Sequence, residues 1–460
     1  MTAPASVITR TPAVARPRIR PFSWRRLPVG LTILLGALLP ATHLAPELAD
    51  IQRSGYFNVD DFDNVYWTYH LSPGQMIGYI VDPEFSFFRP VGMFPYWLLG
   101  RAFNLDPVVF HAFQTGVNLL NAALVCALVL SVSHSHLTAV MATFLWLTAV
   151  ALLDALWWFA SIHYMFATTW FVLGLLAFLH VRHWLTKTIA VAVAYLLAIK
   201  SQETAVTLPA VLLAYELIAR RRVVGGVKAR ASLYATLLFI GGAFTLIKYH
   251  AMSASDQTAG YAFNFSLGQL ISNATWYSAQ LLPWLAPDNQ PVALQALVGL
   301  GLLALVLSDR VMMFGLAFTA ITALPVIFLV EHHFAFYWYL SAIGIWTSVA
   351  RLAQRGTALI RRRSRLSRRW SAALPVAVLF VTAALVEVQD GEYRTPRVEW
   401  TRARAAMFRD FVESVVAQPD PPAAAVIQVA DAPAAFDNQA LTTVYRVVYD
   451  RNDIVVTRER

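Results

Sequence analysis

Cysteine is almost absent: Cys126 is the only one in 460 residues. No intrachain disulfide can form, and a metal centre built on several thiolates is excluded. Charge is scarce as well. Only 14% of the residues are Asp, Glu, Lys or Arg, against about 25% in an ordinary soluble domain. Lysine is confined to Lys187, Lys200, Lys228 and Lys248, so arginine supplies 32 of the 36 basic residues. With the many alanines, this points to GC-rich bacterial coding, a matter of codon usage and not of activity. There is no phosphate-binding loop, no Rossmann fingerprint, no Gly-x-Ser-x-Gly and no His-Glu-x-x-His. Internal repeats, low-complexity tracts and heptad runs are missing too.

What is abundant is apolar: 58% of the chain. That composition excludes a soluble globular, disordered or fibrous chain and describes a polytopic membrane protein. A span needs about 20 apolar residues. Suitable stretches cover 27–48, 108–132, 137–159, 164–181, 189–205, 206–219, 233–249, 292–307, 311–330, 336–350 and 372–388, eleven in all. The first follows Arg10, Arg16, Arg18, Arg20, Arg25 and Arg26. It reads as an uncleaved anchor, since a cleaved signal peptide would be shorter and would end at a small-residue site. A twelfth stretch, 267–285, carries Gln269, Ser272, Asn273, Thr275, Ser278 and Gln280. If it crossed, the basic run from Arg361 to Arg365 would face outward, against the positive-inside rule. It is therefore expected to lie at the outer interface or to re-enter the membrane.

With eleven crossings and a cytoplasmic N-terminus, the cytoplasmic segments hold 22 basic residues and only two acids, Glu216 and Asp309. The outer loops before the tail hold five basic residues: Arg53, Arg89, Arg101, Lys200 and Lys248. The expected organisation is a basic N-terminus over 1–26, a membrane domain over 27–389 with its first outer loop at 49–107, and an outer tail over 390–460. In the tail, 397–417 reads as an amphipathic helix, and 424–429, 441–449 and 454–457 read as short strands. The fold class is an all-α polytopic membrane protein of about 11 transmembrane helices with a small C-terminal α/β extramembrane tail.

The polar residues of interest gather on the outer side. Asp60, Asp61 and Asp63 place three carboxylates within four residues, which raises at least one pKa by mutual repulsion. That suits a general base or a divalent-metal ligand set; a Mg or Mn ion on Asp61 and Glu203 is the one cofactor left open. Aromatics around the acids (Tyr56, Phe57, Phe62, Tyr66, Trp67, Tyr69) hold such a loop at the interface. Arg89 offers planar donors suited to phosphate. His111, Gln114, Asn118 and Asn121 recur at helical spacing, fit equally for a site or for interhelical hydrogen bonds. Asp154, Trp158, Ser161, His163 and Tyr164 cluster at the end of the third span. Lys200-Ser201-Gln202-Glu203 interrupts an apolar stretch too long for one span, so a hairpin with a polar tip is expected, and ionisable groups at that depth point to function. Glu331, His332 and His333 precede Tyr337-Trp338-Tyr339-Leu340; adjacent histidines ligate one ion poorly, so phosphate binding is preferred.

The order of these features resembles the GT-C integral-membrane glycosyltransferases, in particular the polyprenyl-phosphate-sugar-dependent members related to protein O-mannosyltransferases. The acidic pair of that pattern is matched by Asp60-Asp61, and its aromatic-Arg-Pro by Phe88-Arg89-Pro90. His-x6-Asn is matched by His111 and Asn118, a Trp before the fourth span by Trp158, a Lys/Glu motif by Lys200 to Pro209, and Tyr-x-Tyr-Leu by Tyr337 to Leu340. The likeness spans roughly 29–350. Two departures stand out: Gln202 rather than a lysine precedes Glu203, and Phe336 replaces a common arginine.

The resemblance implies a sugar on a polyprenyl phosphate that enters laterally from the membrane. Asp60, with Asp61 as the alternative, would deprotonate an acceptor hydroxyl, and the lipid phosphate would leave with inversion. Arg89, His111, His163, Tyr164, Lys200, Glu203, His332, His333 and Tyr337 would bind the donor phosphate and sugar. The partners implied are that lipid-linked sugar, membrane lipid, and a glycan or protein acceptor such as a glycan lipid or lipid A sugar, with no nucleic acid. The location implied is a bacterial inner membrane, N-terminus cytoplasmic and C-terminus periplasmic. The rival classes are a lipid or glycan transporter or flippase, and a catalytically inactive relative.

Overall fold

The computed structural model describes residues 28–81, 89–219, 230–253, 262–285, 290–331, 333–363 and 368–459. The six N-terminal arginines, Phe88, most of the 220–230 basic run, His332 and Arg365 lie outside the described residues.

The chain opens with α1 (Val29–His43), α2 (Ala45–Ser54), α3 (Val59–Thr68), α4 (Pro73–Val81) and α5 (Pro90–Phe103). The bundle continues with α6 (Pro107–Ser133), α7 (His136–Leu147), α8 (Asp154–Trp157), α9 (Ile162–His180), α10 (Trp184–Ile199) and α11 (Leu208–Ala214). It is completed by α12 (Ala231–Ser253), α13 (Leu267–Leu281), α14 (Gln290–Val306), α15 (Arg310–Ile327) and α16 (Ala342–Arg363). A 49-residue helix, α17 (Arg368–Val416), leads to β1 (Val426–Val429), α18 (Asn438–Tyr449) and β2 (Val455–Arg458). Among the described residues, four helices are long and apolar enough to cross a membrane, or six if each of two bent pairs is one span. The chain is thus helical and of multi-pass membrane character.

Helix starts follow local chemistry. Asp106 accepts from Val108 N at 2.9 Å, with Pro107 in the first turn, and Ser135 accepts from Thr138 N at 3.2 Å. Asp309 caps α15 through Val311 N and Met312 N. Each cap satisfies donors that the first helical turn leaves unpaired.

Four expectations change. The stretch 27–48 bends by 62° between α1 and α2, and 137–159 is broken after Leu147 and turns by 57°. The segment beyond the second break is held to α6 by Gln114, whose Nε2 hydrogens are shared among Ala155 O at 2.7 Å, Trp158 O at 2.9 Å and Ser161 Oγ at 3.0 Å. The stretch 372–388 and the amphipathic segment 397–417 are one helix, about 73 Å long at 1.5 Å per residue. The tail segment 441–449 is a helix and not a strand. Asp437 caps it at Ala440 N, 2.8 Å, and Leu441, Val444 and Tyr445 form its buried face. It connects the two strands, which pair in parallel, Val426 opposite Val455; parallel strands need such a crossover.

The polar face of α13 has a structural use. Asn273 Nδ2 donates to Ile327 O and Leu329 O, both at 2.8 Å, and Gln269 Nε2 to Leu329 O at 2.9 Å. These side chains satisfy carbonyls that the end of α15 leaves open.

Helices α15 and α16 touch through their backbones at Gly315 and Gly344. A Cβ on Gly344 would run into the Gly315 carbonyl oxygen, and one on Gly315 would lie 2.5 Å from the Gly344 oxygen. Small residues at such crossings let membrane helices approach closely. Gly344→Ala is expected to cost about 1–3 kcal/mol, the usual range for overpacking. Thermal unfolding in detergent would read this, and an unchanged midpoint would contradict the close crossing.

Candidate functional site

The chemistry-bearing residues collect at the end of the bundle that carries the tail. Helix α3 begins with a reciprocal cap: Asn58 accepts from the backbone of Asp61, and Asp61 Oδ2 accepts from Asn58 N at 2.7 Å. The other Asp61 oxygen, Oδ1, accepts from Tyr96 OH of α5 at 2.5 Å. Asp61 is fully buried, whereas Asp60, one residue earlier, is exposed. The two acids are adjacent in sequence and therefore about 100° apart around the helix. One is built into the wall and the other is presented to solvent.

Burial pushes the Asp61 carboxyl from the ordinary 3.8 to about 7, against the lowering effect of its bonds from Tyr96 and Asn58. Burial also lifts Asp63 to about 6, against a lowering bond from Thr443 of α18. A carboxyl whose pKa rises on folding holds its proton more tightly in the folded state. Its stabilising contribution is complete below pH 3.8 and is lost as the pH climbs through about 7. The stability of wild type is therefore expected to fall relative to Asp61→Asn between about pH 4 and about pH 7. Chemical denaturation across that window checks it; parallel curves for the two proteins would remove the assignment.

Beside this wall lies a charge cluster. Arg89 Nε donates to Glu203 Oε2 at 2.9 Å, and Lys248 Nζ to Glu203 Oε1 at 2.6 Å. Arg89 sits at φ 53°, a left-handed backbone, at the N-cap position of α5. Glu203 lies in a short 3-10 turn after α10, and Pro209 starts α11, so the hairpin tip is polar. Lys200 points elsewhere. Its Nζ donates to Ile80 O at 2.6 Å and Val81 O at 3.3 Å, tying the hairpin to the end of α4. The lysine that pairs with Glu203 comes instead from α12.

His163 joins the two groups. Its Nε2 lies 3.5 Å from Asn64 Nδ2 of α3. The ring packs against Gly92, where a Cβ would collide with Nδ1, and Arg89 and Glu203 fall within its electrostatic reach. The remaining expected residues divide. Tyr164 stacks on Tyr337 at 5.2 Å, and Phe336, Phe334 and Trp158 extend the aromatic wall. His333 turns to α13, its Nε2 2.7 Å from Asn273 Oδ1. His111 bonds Gln114 at 3.1 Å, Asn118 accepts from Tyr339 OH, and Asn121 donates to Met165 O at 2.9 Å. That polar stripe on α6 holds helices together.

Among the described residues, no three His, Cys, Asp or Glu side chains gather as a metal ion would require. The oxygens of Asp61 and Glu203, the two residues left open for Mg or Mn, accept from the protein donors above.

Lys248, Tyr96, Asn64 and Arg404 were not singled out by sequence reasoning. Lys248 carried a signal, as one of two lysines on that face and at the end of an apolar helix. Asn64 follows Asp61 by three residues on the same helical face. Tyr96 sits in an apolar helix without a local cue. Arg404 lies in α17, with its Nε donating to Asn58 Oδ1 at 2.9 Å and its guanidinium 5.7 Å from the Trp158 ring centre.

No protein-family model matches the chain, and no curated protein matches it.

Proposed function

We propose that the chain is a membrane glycosyltransferase that moves a sugar from a polyprenyl-phosphate donor to an acceptor at the tail-bearing face. The observation that carries this reading is the Arg89–Glu203–Lys248 cluster, linked through His163 and Asn64 to the helix that presents Asp60. A guanidinium and an ammonium converge there on one carboxylate, and cationic donors of that kind stabilise a leaving phosphate. Asp60 takes the proton of an acceptor hydroxyl. The oxygen bonds the anomeric carbon from the opposite side, and the bond to the phosphate oxygen breaks, releasing polyprenyl phosphate with inversion at the sugar. The acceptor class covers glycan lipids, lipid A sugars and proteins.

The accompanying topology is eleven crossings of a bacterial inner membrane, with the N-terminus cytoplasmic and the tail periplasmic. It rests on the 22 basic residues and two acids of the segments assigned to the cytoplasm. The test is reconstitution of the full chain in vesicles with a polyprenyl-phosphate sugar, reading release of polyprenyl phosphate with and without a membrane-glycan extract as acceptor. No release under either condition would defeat the proposal.

A further inference from the structure

The tail helix α17 anchors itself through arginines held by carboxylates. Arg394 meets Glu47 at 3.0 Å, Arg402 meets Asp50 at 2.6 Å, and Arg397 pairs with Asp154 through two nitrogens. Arg404 is built differently. Its Nε donates to the neutral Asn58 side chain at 2.9 Å, and among the described residues its two terminal nitrogens bond no protein atom. Three rings surround the guanidinium: Trp158 at 5.7 Å, Trp400 at 5.3 Å and Phe408 at 5.2 Å. Asp60 lies within its electrostatic reach, and both side chains are open to solvent, Arg404 in part.

Its position is fixed from both sides. Arg397 stands two helical turns earlier on the same face, clamped to Asp154. Phe408, one turn later, packs on Phe436 at 4.9 Å. The ordering cost of this long side chain is thus met before any ligand arrives, while the guanidinium fork keeps donors to offer. Guanidinium forks match the paired oxygens of phosphates and carboxylates, and ring-stacked guanidinium is weakly hydrated and easily desolvated.

We propose that Arg404 is a substrate-binding residue that takes an anionic group, a phosphate or carboxylate, on the molecule presented to Asp60. The acceptor is then negatively charged close to its reacting hydroxyl. This deepens the glycosyl-transfer reading and rests on it for the word acceptor, but the anion site itself is testable without turnover.

The probes are glucose 1-phosphate and methyl glucoside, added to the full chain in detergent and followed by calorimetry. Wild type is expected to bind glucose 1-phosphate more tightly than methyl glucoside. Arg404→Gln should weaken glucose 1-phosphate by about tenfold to a hundredfold, the size of one charge-assisted hydrogen bond or more. Arg404→Lys keeps the charge and loses the fork; it should weaken binding by about tenfold at an unchanged thermal midpoint, which separates ligand loss from misfolding. Vesicles containing phosphatidic acid that compete for the same site identify the anion as a lipid headgroup, and absence of competition identifies a soluble one. Equal binding of glucose 1-phosphate by wild type and both variants, or no binding by wild type, overturns the proposal. Anion binding that depends on Arg404 without any sugar transfer by wild type would defeat the glycosyl-transfer reading alone. Transfer to acidic and neutral acceptors at equal rates in wild type and Arg404→Gln would defeat the Arg404 proposal alone.

Discussion

Asp60→Asn is expected to lower sugar transfer by about 10²–10⁴-fold, the usual loss when a general base is removed, with donor binding nearly intact. The substitution keeps the shape of the side chain and deletes the proton acceptor. Asp60 is a better base than Asp61 on geometric grounds. Asp61 is wholly buried and spends its oxygens on Tyr96 and on the Asn58 backbone, so it cannot reach a hydroxyl on an incoming acceptor. Asp60 is exposed on the first turn of the same helix, beside Arg404. Asp61→Asn should instead act on folding, because its amide keeps one acceptor oxygen for the two donors Asn58 N and Tyr96 OH, at a cost of about 1–3 kcal/mol for the donor left unpaired. Transfer rate and donor binding, measured together in reconstituted vesicles, separate the cases. Wild-type transfer by Asp60→Asn would remove Asp60 as the base. Loss of donor binding along with transfer would make it a scaffold residue.

Glu203→Gln is expected to be the most damaging single change to the folded state at this end of the bundle. Glu203 is the common partner of Arg89 and Lys248, and without its charge two cations face each other in a poorly hydrated site. Breaking a dry buried pair costs about 3–5 kcal/mol. Here the Arg89 side chain is 25% exposed and Glu203 27%, so solvent screening reduces the expected loss to about 2–3 kcal/mol. Glu203→Gln combined with Lys248→Met should recover much of that loss, because the second change removes the cation that shared Glu203 with Arg89. Lys200→Met combined with Glu203→Gln should recover little, since Lys200 is bonded to the α4 carbonyls. Unfolding midpoints of the single and double variants decide it; equal recovery by both lysine changes would contradict the observed pairing.

Much of the architecture was legible in the residues because its causes are local. Apolar stretches near bilayer length read as membrane helices, and the structure adds that Asp106, Ser135, Ser266 and Asp309 cap helix starts. The hairpin around Lys200 to Pro209 was legible for the same reason: a polar tip and a proline interrupt an apolar run. The segment from Leu441 to Tyr449 was not. Its apolar residues fit both a period of two and a period of 3.6, and nine residues rich in β-branched side chains cannot separate the two. Packing on α3 and on α17, and the need for a crossover between parallel strands, made it a helix.

The sequence by itself determined the helical membrane class and the approximate place of several long apolar helices, such as α6, α9 and α12. Those follow from composition and period, which neighbouring residues set. Only the tertiary structure decided which of the scarce polar residues meet. Glu203 pairs with Lys248, 45 positions away, and not with Lys200 three positions away. Asp60 comes within the electrostatic reach of Arg404, more than 300 positions later, and Asp61 accepts from Tyr96, 35 positions later. An ion or a hydrogen bond is directional and acts over a few ångströms, so its partner is selected by where whole helices pack, and the spacing of residues along the chain carries no record of that.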